Sequence, residues 1–262
     1  MATAVRATAT HRVPMDSTRK IALITGVLFI VTYITSIPAQ LLLYHPLLTD
    51  PAKYMAGSGG DAAVSLGALL EVILVVANVG TAVVLYPILK RQNHIIALGY
   101  VTSRVIESAA IMVGIFSVLA VVTLRQNVAG TAGVDTSALV IAGKSLVAAH
   151  DWTFLLGPSL VGVGGTGVLL GYLMYRSGLV PRRMTLLGLV GGPLLIAATV
   201  CVLFGVFKVG SGWQVLATIP EFFWELSLGI YLVVKGFKPS PITSGFRGVG
   251  MPQAHERIPT SA

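Results

Sequence analysis

The sequence predicts an all-α membrane protein whose six transmembrane helices form an antiparallel bundle. Two observations lead to this fold class. The 262 residues are 55% hydrophobic and only 11% charged, with a mean hydropathy of +0.84. Soluble domains carry about 25% charged residues, so a chain of this composition could not cover a water-soluble globule with polar surface. Six apolar segments are also long enough to cross a hydrocarbon core of about 30 Å, which takes about 20 helical residues.

These segments define one transmembrane domain, residues 19–238, flanked by polar tails at 1–18 and 239–262 that we expect to be disordered. The spans are predicted at residues 21–43, 65–89, 95–123, 153–175, 184–207 and 214–234. None shows the alternation of a barrel strand, and a helix satisfies its own backbone in lipid. Kinks or local breaks are expected at the prolines in or at the ends of spans: Pro38, Pro87, Pro158, Pro193 and Pro220. Asp135 is expected to cap a separate amphipathic helix at residues 136–149, lying on the outer surface.

The basic residues predict that both termini lie in the cytoplasm. In that orientation 13 Lys and Arg residues fall on the inner side, 4 fall on the outer side, and Arg104 alone lies within a span. An excess of this kind on the inner side is the positive-inside signal of membrane proteins. The net charge of +8 is dispersed between apolar runs, which argues against a nucleic-acid partner and leaves membrane lipid as the expected one.

One apparent motif is interpreted as structural. Gly162, Gly164 and Gly167 match GxGxxG, but they lie within a span with no strand before them, so we expect close helix packing rather than a nucleotide site. Cys201 is the single cysteine, which excludes an internal disulfide and a CxxC centre. We therefore expect no cofactor. We also expect no metal site, because most histidines are scattered over tails, loops and a membrane boundary, namely His11, His45, His94 and His255.

Charged side chains inside the spans are the informative residues. An ionised group at the centre of a membrane helix costs at least about 2.5–3.5 kcal/mol, so each needs a partner, water or a proton. Arg104 and Glu107 are three residues apart and Glu221 and Glu225 four apart, so each pair shares a helix face. We predict that the second, third and sixth spans converge on one polar core. Its members are Glu71, Asn78, Arg104, Glu107, Glu221 and Glu225, with His150 and Asp151 at the outer rim.

The charge balance of this core favours a binding site. One arginine faces four glutamates, so the fully ionised core would carry an uncompensated charge of −3. Such groups bind protons or cations or face water. The leading hypothesis is an outward-facing cavity that binds a proton, a cation or a small amphiphile, with Arg104 as counter-ion and Glu107 as its first partner. Two alternatives remain open: an intramembrane enzyme that uses the acids with His150 and Asp151, and a structural ion-pair network.

Several short stretches between residues 19 and 238 carry a family resemblance. They are TSIPA at 35–39, GTAVVLYP at 80–87, SRVIE at 103–107, HDWTFLLGP at 150–158, YLMYR at 172–176 with VPR at 180–182, and PE at 220–221 with WE at 224–225 through KGF at 235–237. Together they resemble the domain of unknown function 4386 family. The resemblance implies a bacterial membrane protein with six or seven spans, and it implies no particular activity. We expect the protein to lie in the bacterial cytoplasmic membrane.

Overall fold

The computed structural model describes residues 16–128 and 136–244, and within these ranges it is helical and contains no strand. Six helices are long and apolar enough to cross a membrane, which confirms the predicted fold class. These spans, numbered first to sixth, are Ser17–Leu43, Asp61–Leu89, His94–Asn127, Ser137–Ser177, Arg182–Leu203 and Gly212–Val234. Most of the two predicted tails, and the predicted helix cap Asp135, lie outside the described residues.

The α-helices are α1 Ser17–Pro38, α2 His45–Thr49, α3 Pro51–Met55, α4 Asp61–Leu89, α5 His94–Val128, α6 Thr136–Leu156, α7 Gly171–Ser177, α8 Arg182–Leu203 and α9 Gly212–Val234. Three π-helical segments interrupt the spans, at Ala39–Leu43, Gly157–Gly162 and Gly164–Leu170. Local signals set several of the ends. Asp50 and Ser211 accept backbone N–H bonds at the starts of α3 and α9, and Gly178 ends α7 with a φ of +68°.

The prolines act in two ways. After Pro38, and around Pro158, the helix widens into a π-helical segment. Proline lacks a backbone N–H and its ring crowds the preceding turn, so these are natural places for a regular helix to change its winding. Pro87, Pro193 and Pro220 lie inside continuous α-helices instead. The predicted changes in the helix therefore occur in the first and fourth spans, and both of these spans line the central cavity.

The fourth span differs from its prediction. The sequence suggested a separate surface helix at residues 136–149, but α6 runs without interruption from Thr136 to Leu156 and continues through the π-helical segments into α7. The physical reason is local, since His150, Asp151 and Trp152 supply no glycine or proline where the break was expected. α6 packs against α3 and α5 rather than standing alone on the surface.

The six spans form a closed ring in which neighbours in sequence are neighbours in space. α1 packs on α4, α4 on α5, and α5 on the fourth span, which packs on α8. α8 in turn packs on α9, and α9 returns to α1. Short connections make successive spans antiparallel. The ring encloses a central cavity, which is lined by residues of all six spans.

The two ends of the chain's described part lie on the same face of the ring, which we call the terminal face. Arg19 donates from Nη1 to Leu232 O at 2.8 Å and from Nη2 to Val233 O at 2.6 Å. A guanidinium satisfies carbonyls that the end of a helix leaves free. Residues 239–244, predicted to be disordered, also pack here. Ser240 Oγ donates to Ser177 O at 2.8 Å and Thr243 is buried, because a short 3-10 turn folds back against α7.

The opposite face, called the loop face, carries α2 and α3. The Tyr54 hydroxyl donates to Asp61 Oδ1 at 2.7 Å, and Arg125 Nη1 lies 3.2 Å from the same carboxylate oxygen. Burial, followed by the hydrogen bond to Asp61, raises the pKa of Tyr54 to about 12, so its hydroxyl remains a proton donor at neutral pH. These contacts fix the α2–α3 segment over the ends of α4 and α5.

Candidate functional site

A cavity of about 400 Å³ lies inside the ring, and all six spans contribute to its lining. Apolar side chains such as Leu74, Ile111 and Leu195 form much of its wall. Four charged residues also line it: Arg104, Glu107, Glu221 and Glu225. Small-molecule sites typically have volumes of about 300–1,000 Å³ and combine apolar walls with a few convergent polar groups, so this cavity has the size and character of a ligand pocket.

Arg104 organises the polar end of the cavity. Its Nη1 lies 2.8 Å from Glu107 Oε2 and 3.7 Å from Glu225 Oε1, and its guanidinium stands 5.8 Å from the ring centre of Phe29. Asn78 Nδ2 donates to the other Glu107 oxygen at 3.2 Å. The second, third and sixth spans therefore do converge here. We call Arg104, Glu107, Glu225 and Asn78 the Arg104 cluster.

The two glutamates of α9 keep free acceptor capacity. Glu225 accepts no hydrogen bond from the described residues, and its only close cationic partner among them is Arg104 at 3.7 Å. Its side chain is 19% exposed and lines the cavity. Glu221 is buried and accepts from Thr166 Oγ1 at 2.9 Å, but its Oε2 finds no donor within the ranges that the structure describes. A buried oxygen without a donor loses the hydrogen bonds it made in water, so this region favours a donor-bearing guest or a proton.

Glycines of the fourth span allow the carboxylates to sit where they do. A Cβ on Gly162 would lie 2.5 Å from Glu107 Cδ, and one on Gly167 would lie 2.6 Å from Glu221 Oε2. Gly165 is equally close to the third span, since a Cβ there would lie 1.8 Å from Ser103 Oγ. The glycine pattern is thus a packing surface for the charged helices, as the sequence interpretation held.

Thr166, between two of these glycines, joins the fourth and sixth spans. Its hydroxyl donates to Glu221 Oε1, and its carbonyl accepts from Trp224 Nε1 at 3.0 Å. The carbonyl belongs to the π-helical segment Gly164–Leu170. The sequence interpretation missed both Thr166 and Trp224. The spacing could have pointed to Trp224, because it follows Glu221 by three residues and so shares the same face of α9.

Glu71 stands apart from Arg104, which corrects the prediction of a single polar core that includes it. Gln40 Nε2 donates to Glu71 Oε1 at 2.6 Å, and the Tyr44 hydroxyl donates to Glu71 Oε2 at 3.1 Å. His150 joins them, with its Nε2 3.4 Å from Gln40 Nε2 and its ring edge-on to Tyr44. We call Glu71, Gln40, Tyr44 and His150 the Glu71 cluster. Both oxygens of Glu71 are therefore already occupied.

The two predicted rim residues separate in the structure. His150 is only 2% exposed and belongs to the Glu71 cluster, whereas the Asp151 side chain is 45% exposed and lies 3.5 Å from His150 Nδ1. Gln40 is the link between the two clusters, because it bonds Glu71 and also lines the cavity. Among the described residues no group of three or more His, Cys, Asp or Glu side chains is placed to hold a metal ion.

Six apolar spans arranged around an acidic interior define a multi-pass helical membrane protein. Comparison with known families then shows to which of them the chain belongs. The family described as a domain of unknown function (DUF4386) matches residues 24–236, and the chain belongs to it. The matched range covers all six spans apart from the first residues of α1. No curated protein and no solved structure matches the chain.

Proposed function

We propose that this protein binds a small organic cation in the central cavity, and that it does so in a bacterial cytoplasmic membrane with both termini in the cytoplasm. The observation that carries the proposal is Glu225, a carboxylate that lines the cavity without accepting a hydrogen bond from the described residues. Binding at this position precedes either transport or ligand sensing, and it is the step that the geometry supports.

Charge supports a cationic ligand. Among the described residues, Glu107, Glu221 and Glu225 line the cavity together with one cation, Arg104, so carboxyl groups outnumber the guanidinium there. Glu107 takes the short bond to Arg104, and Glu225 is left with a contact of 3.7 Å. A guest cation beside Glu225 lowers the cost of keeping that carboxylate charged in an apolar surrounding.

Size supports an organic ligand rather than a bare ion. A volume of about 400 Å³ is far larger than a coordination shell, and the walls are mainly apolar side chains. Metal ions are held by several convergent oxygen, nitrogen or sulfur atoms at short range. An organic cation fits both the carboxylate and the apolar walls, because its charge pairs with Glu225 and its carbon atoms contact the walls.

The orientation rests on the distribution of basic residues and on the terminal face. Arg19 at the start of α1 contacts the end of α9, so both of these ends lie on one face. The inner side defined by the positive-inside rule then coincides with the terminal face, with 13 Lys and Arg against 4 on the other side. The loop face is then the outer one, and Gln40 and Phe154 line the cavity on the side of that face.

Equilibrium binding of radiolabelled benzylammonium to the protein in phosphatidylcholine nanodiscs tests the proposal. We expect saturable binding to the wild type that Glu225→Gln weakens about tenfold or more, because the variant keeps the shape and removes the charge. The matched control is Asp50→Asn, which removes a carboxylate from an exposed helix cap far from the cavity and should bind as the wild type does. Absence of saturable binding to the wild type, or equal binding by Glu225→Gln, contradicts the proposal.

A further inference from the structure

Several residues of the first and sixth spans line the cavity and are exposed at the same time. Ile37 and Leu41 on the first span and Phe222 on the sixth line the cavity, yet they are 39%, 64% and 37% exposed. Thr218, one turn from Phe222 on α9, lines it and is exposed as well. Exposed apolar surface on a membrane span faces lipid, so at these residues the cavity meets the hydrocarbon phase.

A contact closes the gap between these two spans toward the terminal face. The Tyr33 hydroxyl donates to Phe222 O at 2.7 Å, and the two rings meet edge-to-face with their centres 5.1 Å apart. Tyr33, Ile37 and Leu41 follow one stripe of the first span toward the loop face. The opening is therefore confined to the half of the bundle beyond Tyr33, and it faces a single leaflet.

The two ends of this space differ in chemistry. Glu225 lies at the inner end with unused acceptor capacity, while Ile37, Leu41 and Phe222 form an apolar mouth at the lipid boundary. A primary ammonium supplies three N–H donors, which suits a carboxylate that accepts no bond from the described residues. An alkyl chain suits the mouth, since lipid lies immediately outside it.

We propose that the occupant is a primary-amine amphiphile whose ammonium head pairs with Glu225 and whose alkyl chain leaves through the opening between the first and sixth spans. This inference rests on the proposed function, that the cavity binds an organic cation. Glu225 and Thr218 are seven residues apart on α9, about 10 Å along the axis, so a chain of about eight carbons reaches from the carboxylate to the mouth.

The test is displacement of bound benzylammonium from nanodiscs by three competitors, with empty nanodiscs used to correct for partition into lipid. After that correction we expect octylammonium to compete at a concentration about tenfold or more below that of butylammonium, because only its chain reaches the mouth. We expect octyltrimethylammonium to compete about tenfold more weakly than octylammonium, because it has no N–H to donate.

A pair of variants locates the alkyl chain. Leu41→Trp fills the mouth, and it should weaken octylammonium about tenfold while leaving benzylammonium binding unchanged, since the small probe needs only the space beside Glu225. Leu42→Trp is the matched control, because Leu42 is 70% exposed but does not line the cavity. This control should leave the binding of both probes unchanged.

The failures of the two proposals can be told apart. If benzylammonium binds but butylammonium and octylammonium compete equally after correction, the amphiphile inference is overturned and the proposed cation site stands. The same conclusion follows if Leu41→Trp and Leu42→Trp behave alike toward octylammonium. If benzylammonium shows no saturable binding to the wild type, the proposed function itself fails, and the inference that depends on it fails too.

Discussion

At the scale of single residues, two carboxylates contact Arg104 in different ways. Glu107 is held by Arg104 at 2.8 Å and by Asn78 at 3.2 Å, so both of its oxygens are engaged. Among the residues that the structure describes, Glu225 is held only by Arg104, at 3.7 Å, and it lines the cavity. The first arrangement stabilises the ring and the second can receive a guest. A short ion pair and a carboxylate with a longer contact therefore share one guanidinium.

The structural pair gives a prediction for stability. Arg104→Met leaves Glu107 buried without its cation, and breaking a buried pair in this way should lower the free energy of unfolding by about 3–5 kcal/mol. The double variant Arg104→Met with Glu107→Leu should recover most of that loss, because the buried carboxylate that lost its short ion pair is removed as well. Reversible unfolding of the purified protein in mixed micelles measures both values. A loss below about 1 kcal/mol in the single variant would show that the pair is dispensable.

The residue scale also shows where sequence reasoning stops. The pairing of Arg104 with Glu107 follows from their spacing on one helix, and the structure contains it. The separation of Glu71 does not follow from spacing, because its partners Gln40 and Tyr44 come from another span and from the connection after it. Their meeting depends on how α1 and α4 rotate against each other, and a single sequence does not specify that rotation.

At the scale of elements, the glycine-rich fourth span is the surface against which the charged helices pack. Gly165→Ala places a Cβ 1.8 Å from Ser103 Oγ and 2.8 Å from Ser103 Cβ, so the third and fourth spans must move apart. We expect a loss of about 1–3 kcal/mol in the free energy of unfolding, measured as above. Gly164→Ala is the matched control, since its nearest neighbour would be Ile196 at 4.0 Å, and it should change stability by less than about 0.5 kcal/mol. Equal losses of stability in both variants would show that close packing at Gly165 is not what stabilises this segment.

Apolar runs were a good guide to the spans because lipid fixes both the length and the composition of a crossing helix. They were a poor guide to helix ends and winding. α6 runs from Thr136 into the fourth span without a break, and the helix around Pro158 becomes π-helical. Hydropathy carries no information on either feature, since a helix that leaves the membrane and a change of winding both keep the backbone satisfied.

At the scale of the whole molecule, the proposed binding depends on closure of the ring of six spans. Contact between α1 and α9 joins the ends of the chain's membrane domain, and the six spans then enclose the cavity. Composition predicted six crossings and an acidic interior. It could not predict that the interior is partly empty, because the same charges could have packed into a solid network. We expect this space to be reached from the outer side and to favour cations.

Thiol labelling in intact cells tests this claim most directly. Cys201 is the single cysteine, so Cys201→Ser provides a background to which Ser159→Cys, in the cavity lining, or Thr49→Cys, on the loop face, can be added. Two membrane-impermeant reagents are compared, the cationic 2-(trimethylammonium)ethyl and the anionic 2-sulfonatoethyl methanethiosulfonates. We expect external reagent to label Ser159→Cys, with a cation-to-anion rate ratio about tenfold above that of Thr49→Cys. Absence of labelling from outside, or equal ratios at the two positions, would show that the cavity is not an outward-facing space that favours cations.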